Sequence, residues 1–411
     1  MTVRSAGEID LFDLAHLDNP YPLYRRLREC SPVYRVPGTD FYLISTWDLV
    51  VEVTARSAEF SSNLTATLVQ QPDGTVSVFD MDQDRQAIHV LATADDPEHN
   101  LHRKLVSTVL SKRIRAMRPT VEALVDRLWA DELQGGRLDW ATGMADKLPL
   151  SVVAGVIGLP VGDVPKLLDW AYNSTEMLGG LVPTERLSAL VTSATELSAY
   201  LHEQLNTMRS VAAQERSGES VLSVLAEAVE AGTLSHEAAV LNLVQLVGAG
   251  GESTAGLLAS AARLLADDPE LAQTLREQPH RIPAFVDEAL RLESPFRGHH
   301  RHVVHDTELG GVNLPAGSHL LLLWGAANRD PAVFSDPDTV DIERSDSRRQ
   351  VAFGKGIHFC VGSALAKLEA TVAITALLER STRISLVDDA PPVRVPSIFV
   401  RRHHCLPLHI R

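Results

Sequence analysis

Cysteine is scarce in this chain: 3 of 411 residues, at Cys30, Cys360 and Cys405. They lie far apart and form no CxxC pair, which argues against a disulfide framework and a zinc ribbon. Basic charge is also short. With 38 Lys and Arg against 53 Asp and Glu the formal net charge is -15, so wholesale nucleic-acid binding is not expected. No stretch approaches the ~18 uncharged apolar residues that would span a bilayer. The opening residues MTVRSAGEIDLFDL lack the basic-then-apolar layout of a secretory leader. A soluble, cytoplasmic protein without an integral membrane anchor is expected. A flavin or nicotinamide fingerprint such as GxGxxG is missing too, so any electrons the chain uses must come from a separate protein.

What is there is ordinary globular material, 45% hydrophobic and 22% charged. Length alone suggests two or three domains. Short β-branched and aromatic runs at 33–36 and 41–44, split by Pro37-Gly38, predict a small antiparallel sheet. Residues 60–96 have poor periodicity, with a turn at Pro72-Asp73-Gly74, and read as a long functional loop. Most of 97–378 has helical spacing, clearest at 121–133, 148–157, 187–208 and 221–229. The longest helix is predicted over 236–266, capped by Ser235 and stopped at Asp267-Asp268-Pro269; its apolar surface, nearly all round, makes it central and buried. Strands are expected again within 303–304, 309–323, 384–387 and 397–400. The fold class is mainly α with small β-sheets.

Cys360 stands out by context. The run Phe353-Gly354-Lys355-Gly356-Ile357-His358-Phe359-Cys360-Val361-Gly362 sets it after a glycine-rich hairpin and just before a helix over 363–378. There the macrodipole and unpaired amides favour a thiolate and lower its pKa, and the glycines let the backbone pass close to a flat ligand. These features do not distinguish a metal ligand from a nucleophile. His358 could pair with Cys360 on zinc, although further ligands at metal-site spacing are missing. Cys30 and Cys405 read as incidental thiols.

Three further patterns carry chemistry. Glu288 and Arg291 lie three apart on one helical face, suited to a charge-assisted contact or to a plain solvated pair. Within the long helix, Gly248-Ala249-Gly250-Gly251-Glu252-Ser253-Thr254 costs helix stability, up to ~1 kcal/mol per glycine. A loosened turn with an acid and two hydroxyls offers a small-ligand site and a proton route; close helix packing with hydroxyls bonded back to carbonyls is the alternative. His99 and Arg103, four apart on a helix starting near Pro97, share a face.

Position for position, Phe353, Gly354, Gly356, His358, Cys360 and Gly362 resemble the haem-binding signature of the cytochrome P450 family, and the other motifs follow in that family's order. The resemblance covers essentially the whole chain. It implies one catalytic domain over 1–411, β-rich at roughly 30–60 and 303–325 and helical at roughly 97–295 and 361–380, with haem b (iron protoporphyrin IX) between the central helix and the helix after Cys360. Cys360 is then the iron ligand, pushing electron density toward O–O cleavage. Phe353 packs beside it, while His99, Arg103, Arg301 and His358 take the haem propionates. Glu288 and Arg291, completed by Arg344, become a structural lock. Ala249, Gly250 and Glu252 match the oxygen-binding motif; Ser253 replaces its usual threonine, with Thr254 next, so proton delivery is expected to work with more leakage of reduced oxygen as peroxide.

The implied activity is oxidation of a hydrophobic small molecule by O2, with electrons from a ferredoxin and its reductase; a haem-binding sensor or sink, or a peroxide-driven oxidase, are the alternatives. Asn63, Leu64, Val78, Gln245, Phe296 and Arg297 are candidate pocket residues. Lys104, Arg113, Arg348, Arg349 and Lys355 could gather on the cysteine side to steer an acidic partner. His299, His300 and His302 read as polar loop residues, and His403 and His404 as surface ones. Segments 60–67 and 321–327 look closest to an orphan actinobacterial branch; Gln350 departs from the histidine of many relatives.

Overall fold

Ser235 starts the longest helix because its hydroxyl accepts the Ala238 amide at 3.1 Å, satisfying one of the unpaired first-turn donors. The helix runs His236–Asp267, 32 residues, and Asp268-Pro269 stops it. Every residue from 254 to 262 is buried, so the middle of this central helix touches protein all round. The structure, a computed structural model, describes residues 9–84, 86–211 and 218–411; residues 1–8, part of the stretch expected to lack a leader, lie outside the described residues.

The central helix passes unbroken through its glycines, so the loosened turn expected there does not form. Close packing is the reason. A Cβ on Gly250 would meet Val153 Cγ2 at 2.6 Å, and one on Gly251 would meet Leu150 Cδ1 at 3.3 Å. The helix Lys147–Ile157 therefore lies against the glycine face, and this contact offsets the low propensity. Helices Glu98–Arg113, Arg118–Glu132, Val164–Glu176, Thr184–Ser210, Ile282–Leu292 and Ser363–Glu379 belong to the same helical body. No described helix is long and apolar enough to cross a membrane.

The sheet material is small. Its largest piece has five strands in the order Val33–Arg35, Phe41–Ile44, His319–Leu322, His299–Val303, Phe60–Ser61. Only the pairing of 319–322 with 41–44 is parallel. This sheet puts Arg301 opposite Leu320 at the edge of the helical body. His299, His300 and His302 thus belong to a strand rather than a loop, with His300 buried.

Two stretches differ from expectation. The long loop after Phe60 holds a hairpin, Ala66–Gln70 against Val76–Asp80, turned at Gly74, whose φ of +85° only glycine adopts cheaply. Cross-strand pairs such as Leu68 with Val78 stabilise it where the sequence pattern looked featureless. Residues 397–400 form no strand, because the Ser397 hydroxyl accepts the amides of Phe399 and Val400 and folds the segment back locally.

Candidate active site

The cysteine loop is shaped by two left-handed glycines, Gly354 at φ +69° and Gly356 at φ +73°. A Cβ on Gly356 would sit 2.6 Å from the Thr54 carbonyl oxygen. The loop closes when the Cys360 amide donates to the Phe353 carbonyl at 2.9 Å, and the helix Ser363–Glu379 follows. Cys360 lines a cavity of about 220 Å³. Burial pushes its thiol above the ordinary value, while the Gly362 and Ser363 amides and Arg103 pull the other way. The helix start exerts the predicted pull, but desolvation of the thiolate outweighs it.

Ala249, Gly250, Ser253 and Thr254 of the central helix line the same cavity. The Ser253 hydroxyl donates to the Ala249 carbonyl at 2.7 Å, the back-bonded arrangement. Glu252 does not line the cavity. It points behind the helix, where it accepts from Arg402 Nε at 2.7 Å and from the Thr175 hydroxyl. Burial raises its pKa, opposed by Arg402 and Thr175.

His99, Arg103, Arg301 and His358 gather at one end of the cavity. The His99 and His358 rings lie 4.2 Å apart, and His99 Nδ1 is 3.2 Å from Asp96. Arg301 is buried, and burial lowers its pKa to about 10. The carboxylate facing it, Asp95, is already held by Ser61 and Ser62, and among the described residues neither Arg103 nor Arg301 has a salt bridge. His358 is held neutral, its pKa driven down to about 3 by burial and then by Arg301, His99 and Arg103. Neither of its ring nitrogens has a partner among the described residues.

Behind the cavity, Glu288 is fully buried. It takes both ends of Arg291 at 2.8 Å, Arg344 Nε at 3.1 Å and the Asp341 amide at 3.0 Å. Arg291 also donates to the carbonyls of Asn328, Pro337 and Thr339. The cluster therefore ties the helix Ile282–Leu292 to the loops leading to the cysteine hairpin.

Of the predicted pocket residues, Gln245 and Phe296 line the cavity, whereas Asn63, Leu64, Val78 and Arg297 do not. The hairpin pairs Val78 with Leu68 and packs it on a separate apolar cluster. Arg297 is buried and spends its guanidinium on the carbonyls of Val400 and Leu17. Arg113 leaves the expected basic group, donating to the Gly155 and Glu219 carbonyls; Arg349 and Lys355 do converge, each over the Trp47 ring at 4.7 Å. His403 is buried, not superficial.

Several residues around the site escaped the sequence reading. Glu369 lines the cavity, buried, with Oε2 unpartnered among the described residues and its pKa raised well above the ordinary value by burial. Its signal is the single acid in the mostly apolar stretch 365–378. Trp324 Nε1 donates to His299 Nδ1 at 2.8 Å. Asp146, Tyr172 and Arg402 surround Glu252 from distant parts of the chain, and no local pattern marks them.

Residues 180–392 match the family model described as Cytochrome P450. The chain is 46% identical over 401 residues to "Cytochrome P450 144" of Mycobacterium tuberculosis, covering 97% of this chain and 91% of that protein. The chain belongs to the cytochrome P450 family. "Putative cytochrome P450 123" of Mycobacterium bovis is 33% identical over 418 residues, covering 100% of both. The fold matches the solved structure of CYP109E1 from Bacillus megaterium in complex with testosterone, at TM-score 0.84 and 26% identity over 97% of this chain and 99% of that one. A cytochrome P450 is a haem-thiolate monooxygenase, an oxidoreductase that binds haem b, and membership makes this chain one.

The donors of the cavity fit that cofactor. A P450 haem presents a flat apolar ring, one axial site for a thiolate and two carboxylates at one edge. The cavity supplies a lone thiol beside a glycine hairpin, a close-packed Ala249-Gly250 face, and, among the described residues, two arginines without salt bridges together with an unpartnered histidine. Among the described residues no three His, Cys, Asp or Glu side chains gather as they would around a bare metal ion.

Proposed function

We propose that the whole chain acts as one catalytic domain in which Cys360 is the haem thiolate and the cavity beyond the haem accepts a hydrophobic small molecule. The observation that carries this reading is the shared cavity. It is lined by the thiol of Cys360, by Ala249, Gly250, Ser253 and Thr254 of the central helix, and by His99, Arg103, Arg301 and His358. His99, Arg103, Arg301 and His358 would hold the propionates, with Phe353, Gly354 and Gly356 shaping the thiolate side. Glu288, Arg291 and Arg344 would fix the loops beneath. Gln245 and Phe296 would meet substrate, a largely apolar wall with one amide. The relative solved with testosterone supports a bulky apolar substrate class.

Bound haem supplies the redox and oxygen-activating chemistry. The protein must then deliver two protons for each O2 split between product and water, and keep bulk water from doing so indiscriminately. Ser253 and Thr254 face the cavity and would hold the last proton donor in place, while Glu252 would bring protons to them from behind the helix. Electrons would come from a ferredoxin and its reductase, docking where Arg349 and Lys355 converge and Ile357 and Phe359 are exposed, in a cytoplasmic setting.

The test is optical. Reduced, carbonyl-bound protein should give the thiolate-type absorption band, and Cys360→Ser should keep haem but lose that band; a wild type without it would refute the assignment. Adding apolar compounds of graded size to the same sample, and reading displacement of axial water, would identify the substrate class.

A further inference from the structure

Behind the central helix, away from the cavity, largely shielded side chains from three other parts of the chain converge on Glu252. Arg402 Nε donates to Glu252 at 2.7 Å, and Thr175 donates to its other oxygen. The Arg402 guanidinium lies 3.9 Å over the Tyr172 ring, and the Tyr172 hydroxyl donates to Asp146 Oδ1. Asp146 precedes the helix Lys147–Ile157, and its neighbour Lys147 turns away to Glu132. Asp139 stands farther from Asp146, and Glu176 farther from Glu252, each adding repulsion.

Two buried carboxyls therefore share one nearby guanidinium, which contacts Glu252 directly and reaches Asp146 only across Tyr172. Among the described residues neither carboxyl has a second cationic partner. Both ionised would leave a buried charge uncompensated, so the cluster holds a proton. Glu252 has the cation in direct contact and Asp146 has only a hydroxyl, which makes Asp146 the holder. Burial raises Asp146 to about 6, against the pull of Tyr172 and Arg402, so it ionises within the working range of an enzyme.

We propose that Asp146 is a positioning residue for proton delivery, competing with Glu252 for Arg402 and so deciding whether Glu252 stays behind the helix or turns to Ser253 and Thr254. This rests on the reading of Glu252 as proton carrier. With Asp146 neutral, Arg402 belongs to Glu252 alone and holds it. When Asp146 gives its proton to water, Arg402 is drawn across the Tyr172 face toward the new charge and its hold on Glu252 weakens. Tyr172 serves as the spacer, its ring carrying the guanidinium and its hydroxyl joining Asp146. No bond other than O–H is made or broken.

Infrared titration of the haem-loaded protein tests the charge assignment without turnover. The wild type should lose a protonated-carboxyl C=O band as pH rises through about 6. The band should be absent in Asp146→Asn and present in Glu252→Gln. Tyr172→Phe, which keeps the ring, should shift its midpoint upward. Product per reduced nicotinamide should rise across the same range in the wild type. In Asp146→Asn, fixed in the holding state, it should be flat and roughly tenfold lower, one pKa unit's worth of coupling. Asp146→Glu should restore the slope. A titrating band that survives in Asp146→Asn, or an unshifted midpoint in Tyr172→Phe, overturns the proposal. If Glu252→Gln is then uncoupled, the proton-carrier reading stands without it; if Glu252→Gln stays coupled, both fall.

Discussion

At the scale of single residues, buried charge decides most of what can be expected. Glu288 answers two guanidinium groups, so Glu288→Ala leaves Arg291 and Arg344 buried and uncompensated. That change should cost about 3–5 kcal/mol in denaturant unfolding and sharply lower haem incorporation. Asp146 gives a signed pH effect. Its folded pKa, about 6, lies above the unfolded value of roughly 3.8, so it adds stability below the unfolded value and loses it as pH rises through the folded one. Asp146→Asn should therefore gain roughly 2.4 kcal/mol relative to wild type between pH 4 and pH 7, most of the two shifted units at about 1.36 kcal/mol each. Unfolding curves at the two pH values check this; an equal difference at both would contradict the raised pKa.

Elements add a constraint that no single residue carries. The central helix tolerates its glycines because the helix Lys147–Ile157 occupies the space their side chains would need. Gly250→Ala should gain up to ~1 kcal/mol of propensity yet lose more to the clash with Val153 Cγ2, which lies 2.6 Å from the new Cβ position. The net destabilisation should be about 1–3 kcal/mol by overpacking, and Val153→Ala on the same background should recover part of it. A double-mutant cycle of unfolding free energies measures the recovery. Simple additivity would mean the two helices do not press on each other there. The same packing accompanies an unbroken helix, so Glu252 faces Arg402 on one side while Ser253 and Thr254 face the cavity on the other.

On the scale of the whole molecule, acid should unfold the protein early. His300 and His403 are buried, with pKa values lowered to about 3 mainly by burial, against roughly 6.5 when unfolded. The unfolded chain binds more protons between these values, so stability is complete above the unfolded pKa and falls steadily as pH drops toward 3. A midpoint of thermal unfolding that stays constant from pH 6.5 to pH 4 would contradict this. His403→Phe should flatten part of the slope.

Much of the fold was legible in the chain itself, because the signals are local. The central helix was bounded to within a residue by its cap and its stop, and the cysteine hairpin by glycines whose φ no other residue accepts easily. Glu288, Arg291 and Arg344 were marked by helical spacing and by resemblance. Amino-acid order also determined that Cys360 alone, among three cysteines, stands at a helix start. Tertiary structure decided what depends on contacts between distant segments. It turned Glu252 away from the cavity, removed Arg297 and Val78 from the pocket, and buried Glu369 and His403. It also brought Asp146, Tyr172 and Arg402 to one point behind the central helix. Spacing along a chain fixes which side chains share an element's face; which face meets water, a cavity or a buried cation follows only from the packing of elements far apart in sequence.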